Sequence, residues 1–166
     1  MDHTSEIAEL LSRYGFRRFM MSRTKVGHLQ LVGHLDGRPL DIVVDTGAGK
    51  TFVELGYCRS EGIPVTDTGD PGAPPVRAAV GSPTVNVHML GDVRLTLGGM
   101  PVRTDGIFAI DMTATNQRLV MRGAEPIRAV IGQDVLRHHR AVIDYAALAL
   151  FLMEEATVGR PEGEPG

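Results

Sequence analysis

The most constraining feature of the chain is a run of period-two alternation broken by one Asp-Gly pair. Leu29, Leu31 and Leu35 alternate with Gln30, Val32 and His34; Asp36-Gly37 follows; Leu40, Ile42 and Val44 resume the pattern. Period two places one set of side chains on a single face of a strand. An Asp-Gly pair between two such runs is the strongest short hairpin signal, because both turn residues need positive φ. The pattern predicts a hairpin of 26–35 and 38–45, and it commits this part of the chain to β structure. Turn formers are frequent elsewhere, with 20 Gly and 10 Pro among 166 residues. Further strands are expected over 76–80 and 84–90 around Gly81-Ser82-Pro83, over 93–97, over 100–110 and over 128–131. A last hairpin is expected over 141–153. Helical spacing is confined to short pieces: Ile7, Leu10, Leu11 and Tyr14 at i, i+3, i+4 and i+7, then 53–61 and 133–139. Residues 111–126 show no period and are expected as a loop or insertion.

At 166 residues the chain has one domain's length. Its formal charge of −3 and the absence of Trp argue against a nucleic-acid surface. The single cysteine, Cys58, argues against a disulfide framework or a Cys-based zinc site, and no metal is expected. The first 21 residues hold Glu6, Glu9, Arg13, Arg17 and Arg18 and lack the apolar stretch of a leader, and no run is long enough for a membrane span. A cytoplasmic protein without membrane or nucleic-acid partners is expected. His138-His139 reads as a polar surface pair, Cys58 as structural, and Asp134 as a carboxylate opening a helix.

The chemistry concentrates in Val43-Val44-Asp45-Thr46-Gly47-Ala48-Gly49-Lys50-Thr51. Gly49-Lys50-Thr51 matches the end of a phosphate-binding loop, but that frame requires Gly where Val44 stands, and no βαβ alternation surrounds it. The other reading is an apolar strand delivering Asp45 into a tight loop. Two carboxylates held close cannot both ionise; they share a proton, and the pair can then activate water. Thr46 would pin such a loop, Gly47 would admit a backbone amide close to the carboxylate, and Ala48 is small beside a substrate. A second Asp-Thr-Gly at Asp67-Thr68-Gly69 follows no apolar strand and reads as a surface turn. A faint internal repeat is also visible: Gly37-Arg38-Pro39-Leu40 and Gly99-Met100-Pro101-Val102 each lead to an apolar run ending in Asp, at Asp45 and Asp111.

The segment 33–48 resembles the retropepsin-like aspartic proteases, retroviral enzymes and their single-lobe bacterial relatives. Val130-Ile131-Gly132-Gln133-Asp134-Val135-Leu136 resembles the second mark of that family, two apolar residues and Gly before a short helix. The resemblance spans roughly 24–153. It implies a mostly β, single-lobe acid-protease fold, a closed β-barrel with one or two short helices. Residues 1–23 would be a helical extension and 154–166 a disordered tail. It further implies an endopeptidase acting as a homodimer on peptides, with no cofactor. Asp45, Thr46 and Gly47 would be the catalytic residues, one Asp45 from each chain, with Thr46 bonding across the two-fold axis. Ala48, Gly49 and the flap residues Val80, Gly81 and Ser82 would contact substrate, the flap being 76–90. Gly49 and Lys50 replace an acidic residue that binds substrate backbone in the retroviral enzymes, and Lys50 would favour an acidic peptide end. Two other readings stay open: a non-catalytic dimerisation or peptide-binding module of this fold, and a degenerate phosphate-loop protein.

Overall fold

The computed structural model describes residues 3–67, 76–77, 84–85 and 87–155. In chain order the elements are α1 (His3–Arg13), β1 (Phe16–Met20), β2 (Ser22–Arg23), β3 (Leu29–Leu35), β4 (Arg38–Val44), β5 (Phe52–Glu54) and α2 (Leu55–Ser60). Next come β6 (Val65–Asp67), β7 (Val76–Arg77), β8 (Thr84–Val85), β9 (Val87–Leu90), β10 (Leu95–Leu97), β11 (Met100–Pro101) and β12 (Phe108–Ile110). The rest are α3 (Thr113–Met121), β13 (Ala129–Ile131), α4 (Gln133–His138), β14 (Val142–Asp144) and β15 (Ala149–Met153).

The expected hairpin is β3 and β4, paired from Gln30↔Val43 to Leu35↔Arg38. Its turn has φ of 48° at Asp36 and 78° at Gly37, the double positive φ that the Asp-Gly pair foretold. Burial alternates along β3 as the period required, with Leu29, Leu31, Gly33 and Leu35 inside. Around the hairpin runs a sheet in the order β11-β10-β3-β4-β13-β5-β12-β9-β6, with β2 added on β3. The sheet curls as a half-barrel; among the described residues its end strands β11 and β6 do not pair with each other, so the expected closed barrel is described as an open one. Leu35, Ile42, Leu97, Ile131 and Val135 are fully buried inside it. Each such side chain contributes about 1.5–3 kcal/mol of transfer free energy. A second sheet, β1-β15-β14, packs Leu150 and Leu152 into the same core.

The centre of the large sheet has an unusual connection. β4 and β5 are consecutive in sequence but not neighbours in space. β13 lies between them, parallel to β4 and antiparallel to β5. Its three residues, Ala129, Val130 and Ile131, are all buried, and for that reason they read as a continuous apolar run rather than an alternating one.

Several expectations need correction. The helix in the first 23 residues ends at Arg13; residues 16–20 pair with β15 and residues 22–23 with β3. Four helices are described, not one or two. Residues 53–61 begin as strand, and α2 starts only at Leu55. Residues 100–110 are two short strands separated by a loop. Residues 113–121 are helical, and α3 buries none of its residues against the core, so the sequence carried no apolar period to mark it. The described chain reaches Glu155, and the expected tail beyond it lies outside the described residues. None of the described helices is long and apolar enough to cross a membrane.

Candidate active site

Asp45 is the first residue after β4. Its amide donates to the carbonyl of Ile131 on β13 (3.0 Å), which continues the parallel ladder one step past the strand. Its Oδ1 accepts from the amide of Gly47 (2.8 Å), and its own carbonyl accepts from the amide of Ala48 (3.2 Å). These bonds wind 45–48 into a tight turn of the kind Asp favours. Asp45, Thr46, Gly47 and Gly49 are exposed in the single chain and Ala48 is half-buried, so the loop presents an open face with the carboxylate on it.

The second sequence motif supports this loop from behind. The amide of Gln133 donates to the carbonyl of Ala48 (2.7 Å), and its side-chain amide donates to the carbonyl of Thr46 (2.8 Å). A Cβ at Gly132 would lie 2.5 Å from the carbonyl oxygen of Lys50 and 2.8 Å from that of Ala48, so only glycine lets the two segments approach this closely. Thr51 is buried; its hydroxyl donates to Oδ1 of Asp134 (2.7 Å) and accepts from the amide of Gly132 (3.1 Å). Oδ2 of Asp134 accepts from the amide of Asp105 (3.4 Å). The sequence identified Asp134 as a helix-opening carboxylate, which it is, but not as the buried acceptor joining three segments. Thr51 was named only in the phosphate-loop pattern, and Asp105 not at all, because their partners lie 83 and 29 residues away.

Lys50 extends from the same loop. Its Nζ donates to Oδ2 of Asp105 (2.6 Å), while Nε2 of His138 lies 2.8 Å from Oδ1. Hydrogen bonds from Lys50 and then His138 hold the Asp105 carboxyl down to about 2. The phosphate-loop reading fails here: Thr51 faces the interior, and the chain continues as strand β5 where that motif requires a helix. The His138-His139 pair is not a surface pair. His139 is buried, with Nδ1 2.9 Å from the carbonyl of Met153 and Nε2 accepting from the amide of Arg103 (2.8 Å). Cys58 is buried as expected of a structural thiol, and burial, then the nearby Glu54, pushes it up to about 11. Among the described residues, no group of three or more His, Cys, Asp or Glu side chains is arranged to hold a metal.

The expected flap is described in part. β7 and β8 pair antiparallel, Val76↔Val85 and Arg77↔Thr84, between the paired strands β6 and β9. Val80, Gly81 and Ser82 lie outside the described residues, as do Thr68 and Gly69 of the second Asp-Thr-Gly. The internal repeat is realised in the sheet. The central order β3-β4-β13-β5-β12-β9 reads as two matching halves about the β13–β5 contact, since β4 is parallel to β13 and β12 is parallel to β5. Asp45 follows β4 and Asp111 follows β12, the strands that correspond in the two halves.

No family model matches the chain, and no curated protein matches it. Solved structures do. A retropepsin-like aspartic protease from Rickettsia conorii aligns over 82% of this chain and 90% of its own, with TM-score 0.51 and 14% identity. The retroviral protease-like domain of Ddi1 from Leishmania major aligns over 77% and 90%, with TM-score 0.48 and 19% identity. An inhibitor complex of the EIAV protease aligns over 74% and 98%, with TM-score 0.49 and 13% identity. The strand inserted behind the Asp45 loop, the curled sheet around it and the match across most of both chains together give this protein the mostly β, retropepsin-like fold.

Proposed function

We propose that the chain is an aspartic endopeptidase that works as a homodimer, with Asp45 of each copy forming one catalytic pair. The observation that carries this reading is the Asp45 turn: an exposed carboxylate at a strand end, fixed by the Gly47 amide and backed by Gly132 and Gln133. One such carboxylate is an ordinary weak base. Two of them at close range share a proton; the charged one takes a proton from water while the neutral one polarises the peptide carbonyl. Thr46 pins each loop across the two-fold axis. Ala48, Gly49 and the flap residues Val80, Gly81 and Ser82 contact the peptide, and flap closure excludes water. The reaction passes through no covalent intermediate and uses no cofactor.

Asp45→Asn tests the assignment. Cleavage of a peptide library by the wild type, lost in the variant, is the expected result; cleavage unchanged by the substitution overturns it. Mass in solution tests the pairing, since a strictly monomeric active protein is incompatible with it. The pH–rate profile is expected to be bell-shaped, because a proton-sharing pair titrates in two steps. A wild type that binds peptides without cleaving them would favour the non-catalytic module.

A further inference from the structure

Lys50 has a role that the reaction itself does not require. Its backbone is fixed: the carbonyl of Lys50 sits against Gly132, and the next residue, Thr51, is buried and bonded to Asp134. The stem of Lys50 thus starts from a set place on the loop that carries Asp45, and its ammonium is held against Asp105. Its side chain is 50% exposed, and so it remains open to solvent while bonded to Asp105. An ammonium has three donors, of which Asp105 takes one. Asp105 is itself positioned, through its amide on Asp134, and carries a second partner in His138. One carboxylate therefore answers to two basic groups. Arg103, two residues before Asp105, pairs with Glu155 instead (3.3 Å).

We infer that Lys50 is a specificity-determining residue that reads an acidic side chain of the peptide, with Asp105 acting as the internal counter-charge which that side chain joins at the ammonium. The inference rests on the protease reading for its substrate, a peptide laid across the Asp45 loop. A Glu or Asp side chain reaching the ammonium adds a second carboxylate to the donors of Lys50 that Asp105 does not take. A Lys or Arg side chain meets like charge there. Asp105 tempers the preference, because its carboxylate offsets the charge of the Lys50 ammonium. Without the Asp105 charge, the same site carries +1.

Three synthetic decapeptide pools, identical except for Glu, Gln or Lys at the positions flanking the randomised centre, test this. Each pool is assayed with the full chain for kcat/KM and, by fluorescence anisotropy, for binding. The wild type is expected to favour the Glu pool over the Gln pool by about two- to fivefold, the range of an exposed ion pair, and less in high salt. Lys50→Met should erase the preference, Lys50→Glu should turn it toward the Lys pool, and Asp105→Asn should enlarge it. Cleavage of all pools at equal rates overturns the inference and leaves the protease reading standing. Absent cleavage with Glu-selective binding that reverses in Lys50→Glu overturns the protease reading and leaves Lys50 in its role. A Glu preference that persists in Lys50→Met, or no binding and no cleavage of any pool, overturns the inference.

Discussion

The Asp45 and Asp111 turns follow β4 and β12, corresponding strands in the two halves of the sheet, and the bonding at each begins alike. Oδ1 of Asp45 accepts from the amide of Gly47, and Oδ1 of Asp111 accepts from the amide of Thr113, each two residues on. After that they diverge. From Asp45 the chain returns to the sheet at Phe52, through a loop held by Gln133 and buried on Thr51. From Asp111 it runs into α3, a nine-residue helix standing off the core, and re-enters the sheet only at Ala129. A strand ending in Asp is therefore something this sheet makes twice. What distinguishes the candidate site is the short return to the sheet, held by Gln133 and Thr51.

The largest expected effect breaks the pair apart chemically. Asp45→Asn should lower peptide cleavage by about a thousandfold, within the range of a lost general acid–base group, whereas Asp111→Asn should leave kcat/KM within about twofold of the wild type. Equal losses in both would show that the turns are functionally equivalent and that Asp45 is not special. Gly132→Ala comes next. Its Cβ would collide with two carbonyl oxygens of the Asp45 loop, and overpacking of this kind costs about 1–3 kcal/mol. Thermal unfolding should move down by several degrees, and activity should fall beyond what the stability loss explains. A variant as stable and active as the wild type would mean that the loop does not depend on this contact.

Thr51→Val sharpens the same comparison from inside. It removes the hydroxyl that bridges Gly132 and the buried Asp134 carboxylate, and leaving such an acceptor short of a donor costs about 1–3 kcal/mol. Thr51→Ser should restore most of it in urea unfolding; if Val and Ser behave alike, the bridge contributes nothing. The smallest effect concerns Asp105. Its carboxyl is held at about 2, below the ordinary 3.8. The ionised form is therefore favoured by folding, and the stabilisation is complete above about pH 4 and disappears as pH falls through about 2. The difference in urea midpoint between wild type and Asp105→Asn should shrink over that interval; a gap independent of pH would show that the carboxylate's charge is not what matters.

Legibility tracked sequence distance. The β3–β4 hairpin was readable because its period, its Asp-Gly turn and its pairing all lie within 17 residues, Leu29 to Asp45. The Asp45 loop and the 130–136 segment were each readable as motifs. Their contact was not, because no local pattern states that β13 inserts between β4 and β5. α3 escaped because a helix that buries nothing needs no apolar stripe. His139 was read as a surface residue because its partners, the backbone of Arg103 and Met153, are distant in sequence and no local pattern marks a buried ring. On a helix end the two rings point to different places, one to Asp105 at the surface and one to backbone groups in the interior.

By itself, then, the amino-acid order determined the strand-rich character, the hairpin with its positive-φ turn, and the identity of the one carboxylate delivered by an apolar strand into a Thr-Gly-Ala turn. These depend on φ preferences and side-chain period, which act over a few residues. The tertiary structure decided which segment backs that turn, why residue 132 has no side chain, and where the charges of Lys50, Asp105 and His138 meet. Those outcomes depend on groups brought together from positions 45–51, 103–105 and 130–139. Only the closing of the sheet around a common core sets the distances between them.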